Sequence, residues 1–234
     1  MNKSFPRRLV AEFTGTAFLV AAVVGSGVMA ERLANGSLAL ALLANTIATG
    51  AALVALIFTF GGISGAHFNP VVTVMDAFER GLPWRETPGY VAAQIFGGIT
   101  GTLLAHLMFG LPPISFSQHT RSGTAQDFSE FVATFGLMCV IWGCVRLNSS
   151  AVPFAVAAYI TAAYWFTAST SFANPAVTIA RSLSDTFAGI RPADAPGFVA
   201  AQLLGGFAAT LLFRWLIPNL QARATEVIVP RQPE

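Results

Sequence analysis

Two stretches, Ser64-Gly65-Ala66-His67-Phe68-Asn69-Pro70-Val71-Val72-Thr73 and Ser171-Phe172-Ala173-Asn174-Pro175-Ala176-Val177-Thr178, are copies of one construction. In each, Asn-Pro opens an apolar run of about ten residues, roughly 69–79 and 174–184. Proline suits the first position of a helix, where its missing N–H would have no helical partner anyway. The Asn before it caps that helix. Ten helical residues rise only about 15 Å, half of a hydrocarbon core of about 30 Å. Each run is therefore too short to span a membrane and suits a half-helix folded back into one. A single Asn-Pro would mark an ordinary turn. Two copies with the same sequel point to re-entrant half-helices.

The rest of the chain supplies the membrane. Of 234 residues, 54% are hydrophobic and 10% charged, where a soluble domain carries about 25% charged. Six apolar segments have spanning length, roughly 9–30, 38–60, 89–110, 128–147, 151–170 and 196–217. The first follows Lys3, Arg7 and Arg8 in the manner of a signal peptide, but it is too long for a signal core and contains Glu12.

The halves repeat. Pro88-Gly89-Tyr90-Val91-Ala92-Ala93-Gln94 returns as Pro196-Gly197-Phe198-Val199-Ala200-Ala201-Gln202, each copy running on into a Gly-Gly pair, and Glu12-Phe13 returns as Glu130-Phe131. Repeat one covers about 7–110 and repeat two about 127–217, within a single domain expected to end in a flexible tail, 218–234. Three spans per half is an odd number, so the second half starts on the opposite face and the repeats are inverted. With the N-terminus inside, Lys3, Arg7, Arg8, Arg80, Arg85, Arg146, Arg214, Arg223 and Arg231 fall on the cytoplasmic side and Arg32, Arg121 and Arg191 outside. This distribution predicts two cytoplasmic termini in a cell (inner) membrane.

In the inverted arrangement both Asn caps meet near mid-membrane, where their amides can donate to one solute. Each half-helix N-terminus adds roughly half a positive charge there, a field that repels protons and cations and spares neutral molecules. The two loops resemble the paired signature loops of the aquaporin and aquaglyceroporin (major intrinsic protein) family, a resemblance running from about residue 7 to 217. It implies an all-α membrane fold with six transmembrane helices and two re-entrant half-helices. It also implies homotetramers with a pore in each protomer, passive conduction of small uncharged solutes, membrane lipid around the bundle, and no cofactor. Asn69, Pro70, Val71, Asn174, Pro175 and Ala176 would form the pore signature. Glu12 and Glu130, expensive inside a span, are read as acceptors for loop N–H groups, with a proton relay as the alternative; His67 belongs to the first loop. Asp76 is either a local acceptor or a vestibule residue.

Counting from the two Asn residues places the family's outer constriction at Thr49, Ala162, Ser171 and Val177, where bulky aromatic, His and Arg residues are usual. All four are small, which predicts a wide filter suited to glycerol and to metalloid hydroxides such as arsenite, with As(OH)3 favoured because Thr49 and Ser171 offer hydroxyls. A water-selective pore is the alternative. Arg181, one helical turn beyond Val177, either reaches back toward the mouth or pairs with Asp185.

Other classes find little support. Net charge is +2 with no basic run, so no nucleic-acid footprint exists. Cys139 and Cys144 lack partners for a zinc site, and His106 and His119 show no ligand pattern, so no metal is expected. No nucleophile–base grouping suggests an enzyme. A coupled secondary transporter would need a titratable cluster, for which only Glu12, Glu130 and Asp76 are available.

Overall fold

A computed structural model describes residues 4–147 and 149–217. Eight α-helices follow one another: α1 (Phe5–Leu33), α2 (Leu38–Ser64), α3 (Pro70–Phe78), α4 (Thr87–Phe109), α5 (Thr124–Leu147), α6 (Val152–Phe166), α7 (Pro175–Arg181) and α8 (Ala195–Leu216). Six are long and apolar enough to cross a bilayer, α6 together with the 3-10 turn Ser149–Ala151 that precedes it. The other two, α3 with 9 residues and α7 with 7, are the half-helices. Lys3, Arg223, Arg231 and the tail 218–234 lie outside the described residues, as does the side chain of Arg146.

The helix limits have local causes. α2 runs on to Ser64 because Gly65 caps it at φ 93°, a left-handed conformation that glycine adopts without steric cost. α6 stops at Phe166, four residues before the sequence-based limit. Thr167 is already extended, and Thr170, Ser171 and Ala173 have positive φ, so residues 167–174 form the descent to Asn174.

Glycine sets the spacing between α1 and α4 and between α5 and α8, the two most extensive helix contacts. A Cβ on Gly97 would collide with the Phe13 carbonyl, and one on Gly205 with the Phe131 carbonyl. Gly101 abuts Ala17 and Val20 in the same way. These are repeat-related positions, and small residues there let backbones approach closely, the form that helix association takes in lipid. Away from these seams, Phe18, Phe58, Phe96, Leu107, Phe154, Leu204 and Trp215 are among the large apolar side chains left exposed. On six helices of spanning length such a belt has the chemistry that a hydrocarbon core accepts.

Ion pairs mark one end of the bundle. Arg8 of α1 meets Glu86, just before α4, at 2.6 Å, and Arg214 of α8 meets Glu79, just after α3, at 2.5 Å. The start of α1 and the end of α8 therefore lie at the same end.

Candidate functional site

The Asn caps form as their sequence requires. Asn69 Oδ1 accepts from the Val71 N–H at 2.9 Å, and Asn174 Oδ1 accepts from Ala176 at 3.0 Å and Val177 at 3.3 Å. Their amide nitrogens cross over: Asn69 Nδ2 donates to the Ala173 carbonyl at 2.7 Å and Asn174 Nδ2 to the Phe68 carbonyl at 2.8 Å. Each half-helix start is thus pinned to the other repeat's loop, with the caps together at the centre. An amide nitrogen carries two N–H groups, so each Asn keeps a second donor for whatever occupies the space between the halves.

The buried carboxylates hold the loops. Glu12 accepts from the His67 N–H (3.0 Å), the Phe68 N–H (2.7 Å), the Ser64 hydroxyl (2.5 Å) and Gln94 Nε2 (2.8 Å). Glu130 repeats this toward the Phe172 and Ala173 N–H groups, both 2.8 Å, and Gln202 Nε2, 2.6 Å. An ionised carboxylate is acceptor-only and suits such convergent donors. Gln94 and Gln202 also donate to Thr73 and Thr178, whose hydroxyls bond back to the Asn69 and Asn174 carbonyls. Both glutamines stand in the repeated Pro-Gly-aromatic-Val-Ala-Ala-Gln segment. The repeat of that segment is the mark these two residues leave in the sequence.

With N–H groups drawn to the glutamates, the loops run in a shape ordinary residues avoid. Ala66 and Ser171 are left-handed at φ 49°, and Phe68 and Ala173 at 48° and 47°. Among the described residues, the carbonyls of Ala66, Ser171 and Phe172 accept no hydrogen bond, and all three residues line the cavity between the halves. Carbonyls presented to a pore can replace part of a solute's hydration.

That cavity encloses about 660 Å³ of empty space, its opening to solvent included. α2 contributes Thr49, Leu53 and Ile57, and α6 contributes Val156, Ile160 and Tyr164, each set spaced i, i+4, i+8. Leu19 and Val23 of α1 face the repeat-related Leu137 and Ile141 of α5. Asn69 and Val72 line it from the first half-helix, and Asn174, Val177 and Arg181 from the second. One wall is aliphatic; the loops and half-helix starts make the other polar.

Of the positions obtained by counting, Thr49, Ser171 and Val177 are on this wall and Ala162 is not: it is exposed on the outer side of α6. The i, i+4, i+8 register of α6 turns Ile160 and Tyr164 inward, and a residue midway between them points away. Tyr164 lines the cavity instead, its hydroxyl 3.3 Å from that of Thr49. A count of residues back from Asn174 does not register how the left-handed residues Thr170, Ser171 and Ala173 turn the chain after α6. Arg181 does not pair with Asp185, which accepts from the Gln118 N–H at 2.8 Å. Its Nε donates to the Ala188 carbonyl and its guanidinium lies 3.4 Å from the Phe172 ring centroid. Asp76 approaches His67 Nε2 at 3.6 Å, while His67 Nδ1 is 3.1 Å from the Thr73 hydroxyl. His67 lines the cavity; Asp76 is not among its wall residues.

Arg121 carries a role that no motif announced. It donates to the Gly189 and Ser169 carbonyls at 2.8 and 3.1 Å and sits 5.2 Å from Phe172, bracing the second loop from the end away from Asn174. In the first loop the Tyr90 hydroxyl does this work, donating to Ser64 O at 2.9 Å. Burial draws the Arg121 guanidinium below its ordinary range, against the pull of Glu130. Burial also works to raise Asp194, but hydrogen bonds from Arg191 and from the Arg121 N–H hold that carboxyl below the usual value. Among the described residues no cluster of His, Cys, Asp or Glu could hold a metal ion.

Known proteins show the same construction. The sequence pattern of the family described as Major intrinsic protein matches residues 1–149 and 143–232. The chain belongs to the major intrinsic protein family. It is 58% identical to the aquaglyceroporin AqpS of Rhizobium meliloti (strain 1021), over 90% of each chain. It is 39% identical to Nodulin-26 of Glycine max over 64% of this chain and 55% of that protein. The X-ray structure of the aquaglyceroporin from Plasmodium falciparum superposes with a TM-score of 0.73 over 94% of this chain and 99% of that one. At 19% identity that likeness speaks for the fold alone. Major intrinsic proteins are channels and not enzymes, and this chain is a multi-pass membrane channel for small solutes.

Proposed function

We propose that the channel conducts glycerol-sized polyols and neutral metalloid hydroxides, arsenous acid foremost, without energy coupling. The observation that carries this is the two-sided cavity: an aliphatic wall of Leu53, Ile57, Val156 and Ile160 facing the Asn69 and Asn174 caps and the loops that hold them. A polyol has one carbon flank and one row of hydroxyls. It can lose water on both sides only in a pore apolar on one wall and hydrogen-bonding on the other. Thr49 and Val177, where the resembled filter carries an aromatic and an Arg, leave room at two positions, while Tyr164, its hydroxyl 3.3 Å from that of Thr49, takes up the room expected at Ala162. As(OH)3 presents three hydroxyls on a body of similar size, with Thr49 and Ser171 as partners. The homologous aquaglyceroporin favours the polyol part of this reading.

Pore signature (Asn69, Pro70, Val71, Asn174, Pro175, Ala176), filter (Thr49, Ser171, Val177, with Tyr164 in place of Ala162) and loop holders (Glu12, Glu130) are the roles assigned under this proposal. Placement in the cell inner membrane with both termini cytoplasmic, and assembly as a homotetramer, belong to the same reading. The cationic end bearing Arg8, Arg80, Arg85 and Arg214 supports that orientation. Stopped-flow measurement of water, glycerol and arsenite entry into proteoliposomes tests the solute assignment. Glycerol and arsenite flux above empty liposomes is expected, and water flux alone would favour the water-selective alternative.

A further inference from the structure

We infer that Arg181 is the filter cation of this pore, standing one helical turn beyond Val177, and that its guanidinium refuses small cations while hydrogen-bonding a neutral, oxygen-rich solute. The inference rests on the channel reading above and names the residue that polices it.

α7 presents Asn174, Val177 and Arg181 to the cavity at i, i+3 and i+7, a single helical face. Arg181 therefore looks along the same wall as Val177, about 6 Å further from the central Asn pair. It is 2% exposed and seated from two sides: Nε on the Ala188 carbonyl, the guanidinium plane over Phe172. Phe172 is itself fixed by Glu130 through its N–H and by an edge contact with Phe198 at 5.3 Å. The cation has a built seat.

No carboxylate touches it, although Glu130 acts on it from a distance. Among the described residues, Arg8, Arg191 and Arg214 each meet a carboxylate within 2.7 Å, whereas the side chains of Arg32, Arg121 and Arg181 meet none; Arg121 spends its donors on loop oxygens, but the bond to Ala188 is the sole hydrogen bond of the Arg181 side chain. A guanidinium has five N–H donors, so the terminal nitrogens remain for the contents of the cavity. The Ser171 hydroxyl, in a wall residue 3% exposed, likewise meets no partner among the described residues. The repeat-related position of the first half-helix is Asp76, which lies against His67. The second half-helix thus puts a cation on the cavity wall where the first puts none. A buried charge without a counter-ion is costly unless solvent or solute supplies acceptors. Its planar fork fits two neighbouring oxygens, as a diol or a metalloid hydroxide presents them.

The test uses proteoliposomes holding wild-type protein, Arg181→Met or Arg181→Lys, with inserted protein quantified and glycerol and methylammonium as probes. Wild-type protein passes glycerol and excludes methylammonium. Arg181→Met should raise methylammonium entry by roughly tenfold, and Arg181→Lys should keep the exclusion while slowing glycerol through loss of the fork. Arg181→Met inserted at the wild-type level with both fluxes unchanged overturns the inference. Where Arg181→Met does not insert, Arg181→Lys decides, and an unchanged glycerol flux then overturns it. Wild-type protein that passes no glycerol contradicts the channel reading instead, so the two failures are distinguishable.

Discussion

Each loop depends on one carboxylate with a specific acceptor pattern. In Glu130→Gln one oxygen becomes an NH2, which faces donors whichever way the amide turns, because the Phe172 and Ala173 N–H groups and Gln202 Nε2 all point at this side chain. A buried donor left against a donor costs about 1–3 kcal/mol. Glu130→Gln should therefore lower thermal stability in detergent and reduce solute flux per inserted molecule. Equal stability and flux would mean that the carboxylate does not hold the loop. At the filter, Thr49→Phe with Val177→Arg puts bulk and a second cation into the wall. It should suppress glycerol and arsenite far more than water. Full glycerol and arsenite flux in an inserted double mutant would remove both positions from the constriction.

Between helices the contacts are set by glycine, and two substitutions separate packing from propensity. A valine at Gly97 drives its side chain into the Phe13 backbone, whose Cα would lie 3.1 Å from the new Cβ. Overpacking of this kind costs about 1–3 kcal/mol, so Gly97→Val should lower the melting temperature. Gly62 has nothing within 4 Å of an added Cβ, and Gly62→Ala should be neutral or slightly stabilising. Similar melting temperatures for the two variants would deny the close α1–α4 approach. The elements themselves were legible because apolar length and the Asn-Pro starts are local signals; α3 and α7 begin at Pro70 and Pro175 as read. Tyr164 was not legible. Its inward aim depends on the rotation of α6 and on a descent over 167–174 built from left-handed residues, and neither can be counted from Asn174. The seat of Arg181 joins residues 172, 181 and 188, which only the folded loop brings together.

At the scale of the molecule, two inverted copies share one cavity, and nearly every contact that shapes it has a counterpart in the other half: Glu12 with Glu130, Gln94 with Gln202, and the crossed Asn69 and Asn174 amides. Such interlocking at the centre opposes the rocking of one repeat against the other that alternating access requires. The central claim is therefore an open, uncoupled pore for neutral polyols. Initial glycerol influx into proteoliposomes, measured by light scattering over a wide glycerol range with and without proton and sodium gradients, tests it most directly. Influx should rise in proportion to the glycerol gradient and be identical under every ion gradient. Influx that saturates, or that a proton or sodium gradient accelerates, would contradict it.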